Sequence, residues 1–488
     1  MKKQLYFLVA LLVASSMVLA ACGAAATTAA PAPATAAPAT AAAPAGKVLI
    51  RWSIGVGTGT DPTQIPIEND VVKDFNASQN SIYLVDEIIP NASARDTIST
   101  EIAAGAGPDI VGPVGWIGSN AFYGQWLDLA PYIKSSGYDT SKFDPALAKS
   151  YQTDQGTVGF PFAVYPSAIF YNPGLFKEAG VNTPPVKYGD QYKMPDGTMA
   201  DWNWDTLTKV AQLLTIDKNG KSSGQTGFDA TNIVQYGFTF GWESPNPTYW
   251  GAYMSNGGAI LVPGGSKGSY AAKIPDNWKK AWQWIYDGTF GAAPYMPNTV
   301  VAGGADFDNG NVFASGKVAM MDNPSWMLCC LADLIKAKGT FDLAAMPISF
   351  DGKPAGRVDA DTFRIWKGTK HPAEAFTVLA YLIDTGIQKL VVGTPKTPPA
   401  YGAIPGVASL RGPWVASEKA NFPFVTNWDV LVAGLNYPDV PSAEGYMPNI
   451  NEAWARLATF GSLITTQKVD LAKEEATLES DLTTIFNK

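Results

Sequence analysis

Histidine is almost missing from this 488-residue chain, with His371 as its single copy. That removes multi-histidine metal sites and leaves one residue for any histidine-activated nucleophile. Charge is scarce too: Asp, Glu, Lys and Arg make up 16%, against roughly 25% in an average soluble chain. Positive charge is the minority, 35 Lys and Arg against 43 Asp and Glu. No basic surface is left over to neutralise nucleic-acid phosphates. After Lys47 no apolar run is long enough to span a membrane. What the chain has in quantity is aromatic: 15 Trp, 20 Tyr and 22 Phe. Its length calls for two lobes or domains, since single cores stop growing near ~250–300 residues.

The N-terminus sets the compartment. Lys2 and Lys3 precede the apolar stretch Leu5 to Ala20, followed by small residues. This is the pattern of an export signal. Leu19-Ala20-Ala21-Cys22 resembles the bacterial lipobox, in which the cysteine becomes the lipid-modified first residue. The alternative is an ordinary signal with an incidental cysteine. Gly23 to Gly46 holds only Ala, Thr, Pro and Gly. Such a segment buries no core, and its prolines interrupt any long Ala helix. The expectation is a signal over 1–21, then the lipidated Cys22 and a tether over 22–46. The body would be soluble, and held at the extracytoplasmic face of the bacterial cytoplasmic membrane.

From residue 47 on, strand and helix signals alternate, which predicts an α/β fold. Val48 to Ser53 reads as a buried first strand, Ser81 to Ile89 as the second and Asp109 to Val111 as a short third. Gly55-Val56-Gly57-Thr58-Gly59 follows the first strand, but Asp61-Pro62 stands where a dinucleotide fingerprint needs a helix start. Val71, Val72, Phe75 and Ala77 mark an amphipathic helix. Asn203 caps another, with Leu207, Val210, Ala211 and Leu214 on one face. Pro372 suits a first helical turn. Leu471, Leu478, Leu482 and Ile485 stripe the last helix. No tandem repeat occurs at a solenoid period.

Six short segments, in order, carry a family resemblance: Gly107-Pro108-Asp109-Ile110; Gly159 to Val164 with Ile169-Phe170-Tyr171-Asn172; Asn203-Trp204-Asp205-Thr206-Leu207; Phe313 to Met320 followed by Trp326; Lys370-His371-Pro372-Ala373-Glu374-Ala375; and Met447-Pro448-Asn449-Ile450 before Trp454. Together they resemble the bacterial extracellular solute-binding proteins of ABC importers, in the carbohydrate-binding branch that includes maltose-binding protein. The resemblance implies a two-lobed periplasmic-binding-protein-like α/β fold, with strands crossing at a hinge and a ligand cleft between the lobes. It implies lobe 1 at 47–163 with a return over 362–425, and lobe 2 at 164–361 with C-terminal helices over 426–488. Tyr165 would lie at the first crossing, Asp359 and Asp361 near the second. His371 takes a packing role before Pro372. The resemblance is loosest over 225–310.

A sugar has C–H ring faces and a belt of hydroxyls. Flat aromatic side chains suit the faces; carboxylates, amides and Arg suit the hydroxyls. By position in the family pattern, Trp326 and Trp116 lead the expected ligand contacts. Tyr165 stands where the maltose branch has a carboxylate, which implies a different hydroxyl pattern or sugar. Trp454 is offset from the family aromatic, and Trp242 and Trp250 fall in the loosely matched stretch, with cleft and core readings both open. Gly57, Thr58 and Asp61 follow the first strand, where family loops reach polar ligand groups; Gly57 also reads as a tight turn. Asp361 and Arg357 either bind hydroxyls or pair across the hinge. Asp109 is expected to order its strand end. Any of the 15 tryptophans can equally serve a large aromatic core.

Cys329 and Cys330 are adjacent; they form either a strained disulfide or two small apolar positions on a helix. Asp217-Lys218-Asn219-Gly220 resembles the start of a calcium loop. Position twelve is Phe228 where a bidentate Glu is required, so a surface hairpin is expected. No metal, cofactor or catalytic residue is expected. The functional expectation is a lipid-anchored, monomeric binding protein that captures a carbohydrate by lobe closure and delivers it to an ABC permease. The alternatives are the same fold binding a peptide or polyamine, or a secreted glycosidase using two carboxylates.

Overall fold

A computed structural model describes residues 43–241, 247–255, 258–331, 334, 340–439 and 445–488. Cys22, the signal and most of the tether lie outside the described residues, as do Trp242 and the side chain of Cys329.

The chain opens as expected, with β1 (Val48–Ile54), α1 (Ile65–Ser78), β2 (Ile82–Ile88), α2 (Asn91–Ala103) and β3 (Ile110–Val114). β1 pairs in parallel with β2 on one side and β3 on the other. β4 (Ala163–Tyr171) is buried at every one of its nine positions. Then come α3 (Trp204–Leu213), β5 (Ile216–Asp217), β6 (Ile233–Phe240), α4 (Pro247–Met254), α5 (Asp276–Phe290), β7 (Val318–Pro324), β8 (Asp342–Ala344) and β9 (Val358–Ile365). α6 (Pro372–Tyr381), β10 (Ile404–Pro405), α7 (Ile450–Thr466) and α8 (Leu471–Phe486) follow among the described elements.

The main sheet runs β2-β1-β3-β9-β4-β7-β6-β5, with β8 and β10 also on β4. β4 changes partners half-way. Its residues Ala163 to Pro166 pair with Asp361 to Val358 of β9, and β10 pairs there too. Its residues Ser167 to Tyr171 pair with Pro324 to Met320 of β7, and β8 joins at Ile169 to Tyr171. β4 is thus the strand on which two α/β lobes meet. On one side Ile50, Trp52, Phe75, Phe162, Phe363 and Leu379 form a core. On the other, Trp204, Leu207, Phe238, Trp278, Trp282 and Phe460 form a second.

Local signals explain the elements. The Asn203 side chain accepts from Thr206 N at 2.9 Å and caps α3. His371 stands at the N-terminal boundary of α6, just before Pro372 in its first turn. Asp109 accepts from Arg51 N at 2.9 Å and from Thr369 Oγ1, so it ties β3 to β1 and to the loop before α6. Asp217 Oδ1 accepts from Asn219 N and Lys221 N, and Oδ2 from Asp229 N, at 2.8–2.9 Å. That carboxylate is occupied by backbone amides and orders the hairpin. Among the described residues no cluster of three or more His, Cys, Asp or Glu suits a metal, and no helix is long and apolar enough to cross a membrane. Much of the aromatic excess is core: Trp52, Trp204, Trp278, Trp282, Trp414 and Trp428 are all under 2% exposed.

Gly237 marks the closest helix-to-sheet approach of the second lobe. A Cβ there would run into the carbonyl of Ala211 at the end of α3, while Gly237 N donates to Thr215 Oγ1 at 2.8 Å. Gly237→Ala should therefore cost about 1–3 kcal/mol of stability by overpacking. Denaturant unfolding checks this; an unchanged midpoint would mean that α3 does not lie against β6 as described.

Candidate functional site

Strands that run in parallel deliver their C-terminal ends, and the loops after them, to the same edge of a sheet. Here the loops after the parallel strands β1 and β3 reach one such edge, and β7, which runs the opposite way from the second lobe, brings the turn after it to meet them at the start of β9. They enclose a cavity of about 480 Å³. Val56, Gly57 and Thr58 come from the first loop, Trp116 and Ile117 from the second, and Trp326 and Cys330 from the third. Tyr165 of β4 and Asp359, Ala360 and Asp361 of β9 form the floor, and Arg357 sits just before β9. Asn91 and Arg95 of α2 and Tyr249 of α4 complete the wall.

Gly57 is required by close approach rather than by a turn. A Cβ at Gly57 would stand 2.5 Å from the Pro113 carbonyl oxygen and 3.3 Å from Asp361 Oδ2. The missing side chain lets the loop lie against the carboxylate. Gln64 holds the loop, accepting from Gly59 N at 2.9 Å and donating to Thr58 Oγ1 at 3.1 Å.

Asp361 is 8% exposed. Burial pushes its carboxyl up to about 7; the charge of Asp359 adds to this, and a backbone hydrogen bond from Thr58 opposes it. Asp359 is differently placed. Its Oδ1 accepts from Arg357 Nε at 2.8 Å and Nη2 at 2.5 Å. Its Oδ2 accepts from the indole N–H of Trp326 at 3.1 Å. The Arg357 guanidinium in turn lies 3.3 Å from the ring centroid of Tyr249. One chain of contacts, Tyr249–Arg357–Asp359–Trp326, therefore sets the spacing of two aromatic walls. Arg357 pairs with Asp359 two residues on, rather than with Asp361.

Trp116 is 8% exposed, and its ring stacks on Tyr151 at 5.1 Å. Its indole N–H is buried and has no hydrogen-bond partner among the described residues. Trp116 also borders a second, larger cavity of about 820 Å³, lined by Arg364, Tyr446 and Met447 among others. Burial lowers the Arg364 guanidinium to about 10, with the neighbouring Tyr151 opposing. Arg364 donates to Val158 O at 2.7 Å and to Ser119 Oγ at 3.3 Å.

The structure brings six of the expected residues to the smaller cavity: Gly57, Thr58, Trp116, Tyr165, Trp326 and Asp361. Asp61 is exposed and outside it; Asp61 Oδ1 accepts from Thr63 N and Oγ1 at 2.8 and 2.6 Å, forming a turn before α1. Trp250 is buried in the second core near Phe240. Trp454 sits behind Tyr249, with ring centroids 5.4 Å apart. Trp242 and the Cys329 partner of the expected pair lie outside the described residues. Tyr249, Arg95 and Asn91 were not anticipated. They belong to a weakly patterned stretch and to a helix whose polar face carries no motif.

Asp361 yields a signed prediction. A carboxyl whose folded-state pKa is raised keeps its proton longer in the folded protein than in the unfolded one. It therefore lowers stability as pH rises from about 4 toward 7, and the full cost persists above that. Asp361→Asn should raise the melting temperature at pH 8, with the gain shrinking as pH falls to 5. A gain that does not change with pH would show that the carboxyl titrates normally.

The comparisons with known proteins agree on the kind of protein. The family model for bacterial extracellular solute-binding proteins matches residues 70–423. A Brucella abortus chain described as a binding protein is 24% identical over 333 residues, covering 65% of this chain and 69% of its own. An ABC substrate-binding protein of Listeria monocytogenes, solved with cycloalternan, aligns at a TM-score of 0.64 and 16% identity, over 90% of this chain and 98% of that one. The maltose/maltodextrin-binding domain of Bdellovibrio bacteriovorus bound to maltotriose aligns at 0.61 and 18%, over 90% and 100%. The acarbose-binding receptor of Streptomyces glaucescens aligns at 0.62 and 16%, over 91% and 99%. At these identities the structures establish the shared two-lobed fold. The family and these neighbours are binding proteins, not enzymes, and the chain belongs to the bacterial extracellular solute-binding protein family.

Proposed function

We propose that the chain captures a carbohydrate in the 480 Å³ cavity and hands it to an ABC importer permease. The observation that carries this reading is the pairing of wall chemistries. Trp326, Trp116, Tyr165 and Tyr249 offer ring faces. Asp361, Thr58 and Asn91 offer hydroxyl partners. Flat rings suit the C–H faces of a sugar, and ionised or amide groups suit its edge. The volume falls within the usual range for small-molecule sites, about 300–1,000 Å³.

Capture works by closure. A ligand touching both lobes binds the closed form better than the open one, and shifts the population by that difference. The expected lobes, 47–163 with 362–425 against 164–361 with 426–488, meet on β4, and the hinge falls at its change of partners. Lipidation at Cys22 and the Ala/Thr/Pro tether over 22–46 would keep a monomeric receptor within reach of its permease at the extracytoplasmic face of the cytoplasmic membrane. No catalytic group is required.

Isothermal titration against a broad neutral and acidic saccharide panel should find at least one ligand. Trp326→Ala should weaken that ligand by about tenfold or more, as expected for an aromatic anchor at the centre of a site. Absence of binding across the panel, or an unchanged affinity in the variant, would rule against this reading.

A further inference from the structure

Four charged side chains line the cavity: Arg95, Arg357, Asp359 and Asp361. Two of them cancel. Arg357 and Asp359 pair at 2.5–2.8 Å, and Asp359 also serves the Trp326 indole. Asp361 is buried and holds its proton up to about 7, so near neutral pH it contributes only part of a negative charge. Arg95 is left. No carboxylate among the described residues stands within ion-pair distance of it, and its electrostatic neighbour is the Tyr249 phenol. It is half-buried on α2, one turn beyond Asn91, which lines the same wall.

A guanidinium in this position has lost part of its water and gained no counter-charge among the described residues. Burial lowers its pKa accordingly. Closing the lobes over a neutral ligand would deepen that cost, because a desolvated charge needs a partner. A carboxylate on the ligand would meet the guanidinium fork with two parallel hydrogen bonds. A single negative charge matches the cavity. A dianionic phosphate would carry its second charge toward Asp359 and Asp361.

We propose that the ligand of this cavity bears a carboxylate, as a uronic acid unit does, and that Arg95 pairs with it. This rests on the carbohydrate reading above and narrows it to acidic sugars. Neutral sugars then bind through the aromatic walls and the hydroxyl partners Asp361, Thr58 and Asn91, but offer Arg95 no counter-ion. Specificity follows from the unpaired group, since a site built around a charged partner rejects an analogue that lacks it.

The test is isothermal titration of the full chain with matched probes: glucuronate- and galacturonate-containing disaccharides, the glucose and galactose disaccharides of the same linkage, and glucose 6-phosphate. At least one uronate should bind about tenfold or more tighter than its neutral counterpart, and weaken as salt rises. Arg95→Met should remove most of that preference, weakening uronate binding more than neutral-sugar binding, and Arg95→Lys should keep part of it. If Arg95→Met does not fold, the uronate preference and salt dependence of the wild-type chain still decide. Neutral sugars bound in preference to uronates would overturn this inference and leave the carbohydrate reading standing. Preference for the phosphate ester would overturn it as well. An Arg95→Met chain that keeps the uronate preference would remove Arg95 from the account. Binding of no saccharide of any kind would overturn both readings together.

Discussion

The rest of the structure depends on one strand serving two lobes. A strand inside a sheet must have its backbone groups paired on both sides, and a buried one has no water to fall back on. β4 meets this by exchanging β9 and β10 for β7 and β8 at Pro166 and Ser167. Proline has no N–H to give, and Pro166 falls where one ladder ends. Ser167 takes over at once, donating from both N and Oγ to the Arg357 carbonyl at 2.9 and 2.8 Å. The cavity is built outward from this handover. Tyr165 precedes it, Arg357, Asp359 and Asp361 stand across from it, and Trp326 lies two residues past the end of β7. A hinge and a binding site so close together share residues. A ligand that contacts them bears directly on the angle between the lobes.

The same site is costly to the unliganded fold. A carboxyl with a raised pKa, and a guanidinium and an indole N–H that have no counter-ion or acceptor among the described residues, belong to side chains around one cavity. Each disfavours the empty folded state and is a group that a ligand could satisfy. The cores on either side are mostly apolar, although the Trp204 indole N–H is also buried there with no hydrogen-bond partner among the described residues. They bury tryptophans and aliphatic side chains against the sheet and supply stability that a binding site can draw on.

What the sequence made legible follows the strength of local signals. The Asn203 cap, the Pro372 helix start and the strands at 48–54 and 82–88 are short-range features, and the structure has them where they were expected. Trp326 was expected from a family segment with fixed spacing to a strand, and Asp361 from the second crossing that the family resemblance implies; both line the cavity. The helix over 247–254 shows the limit. Tyr249 and Trp250 are neighbours, about 100° apart around the helix axis. One faces the cavity and the other the core. No repeating pattern in that short helix says which is which. Arg95 was illegible for another reason. A charged residue on an amphipathic helix reads as a solvated face, and only the tertiary fold turns that face toward a cavity.

On the proposed function, a sugar would be held between the two lobes in the cavity at the strand exchange. A crystal structure of the chain with its tightest-binding saccharide tests this most directly. The account predicts a sugar ring against Trp326, with hydroxyls on Asp361 and contacts to both lobes. A saccharide seated elsewhere, with Trp326 and Asp361 untouched, would contradict it.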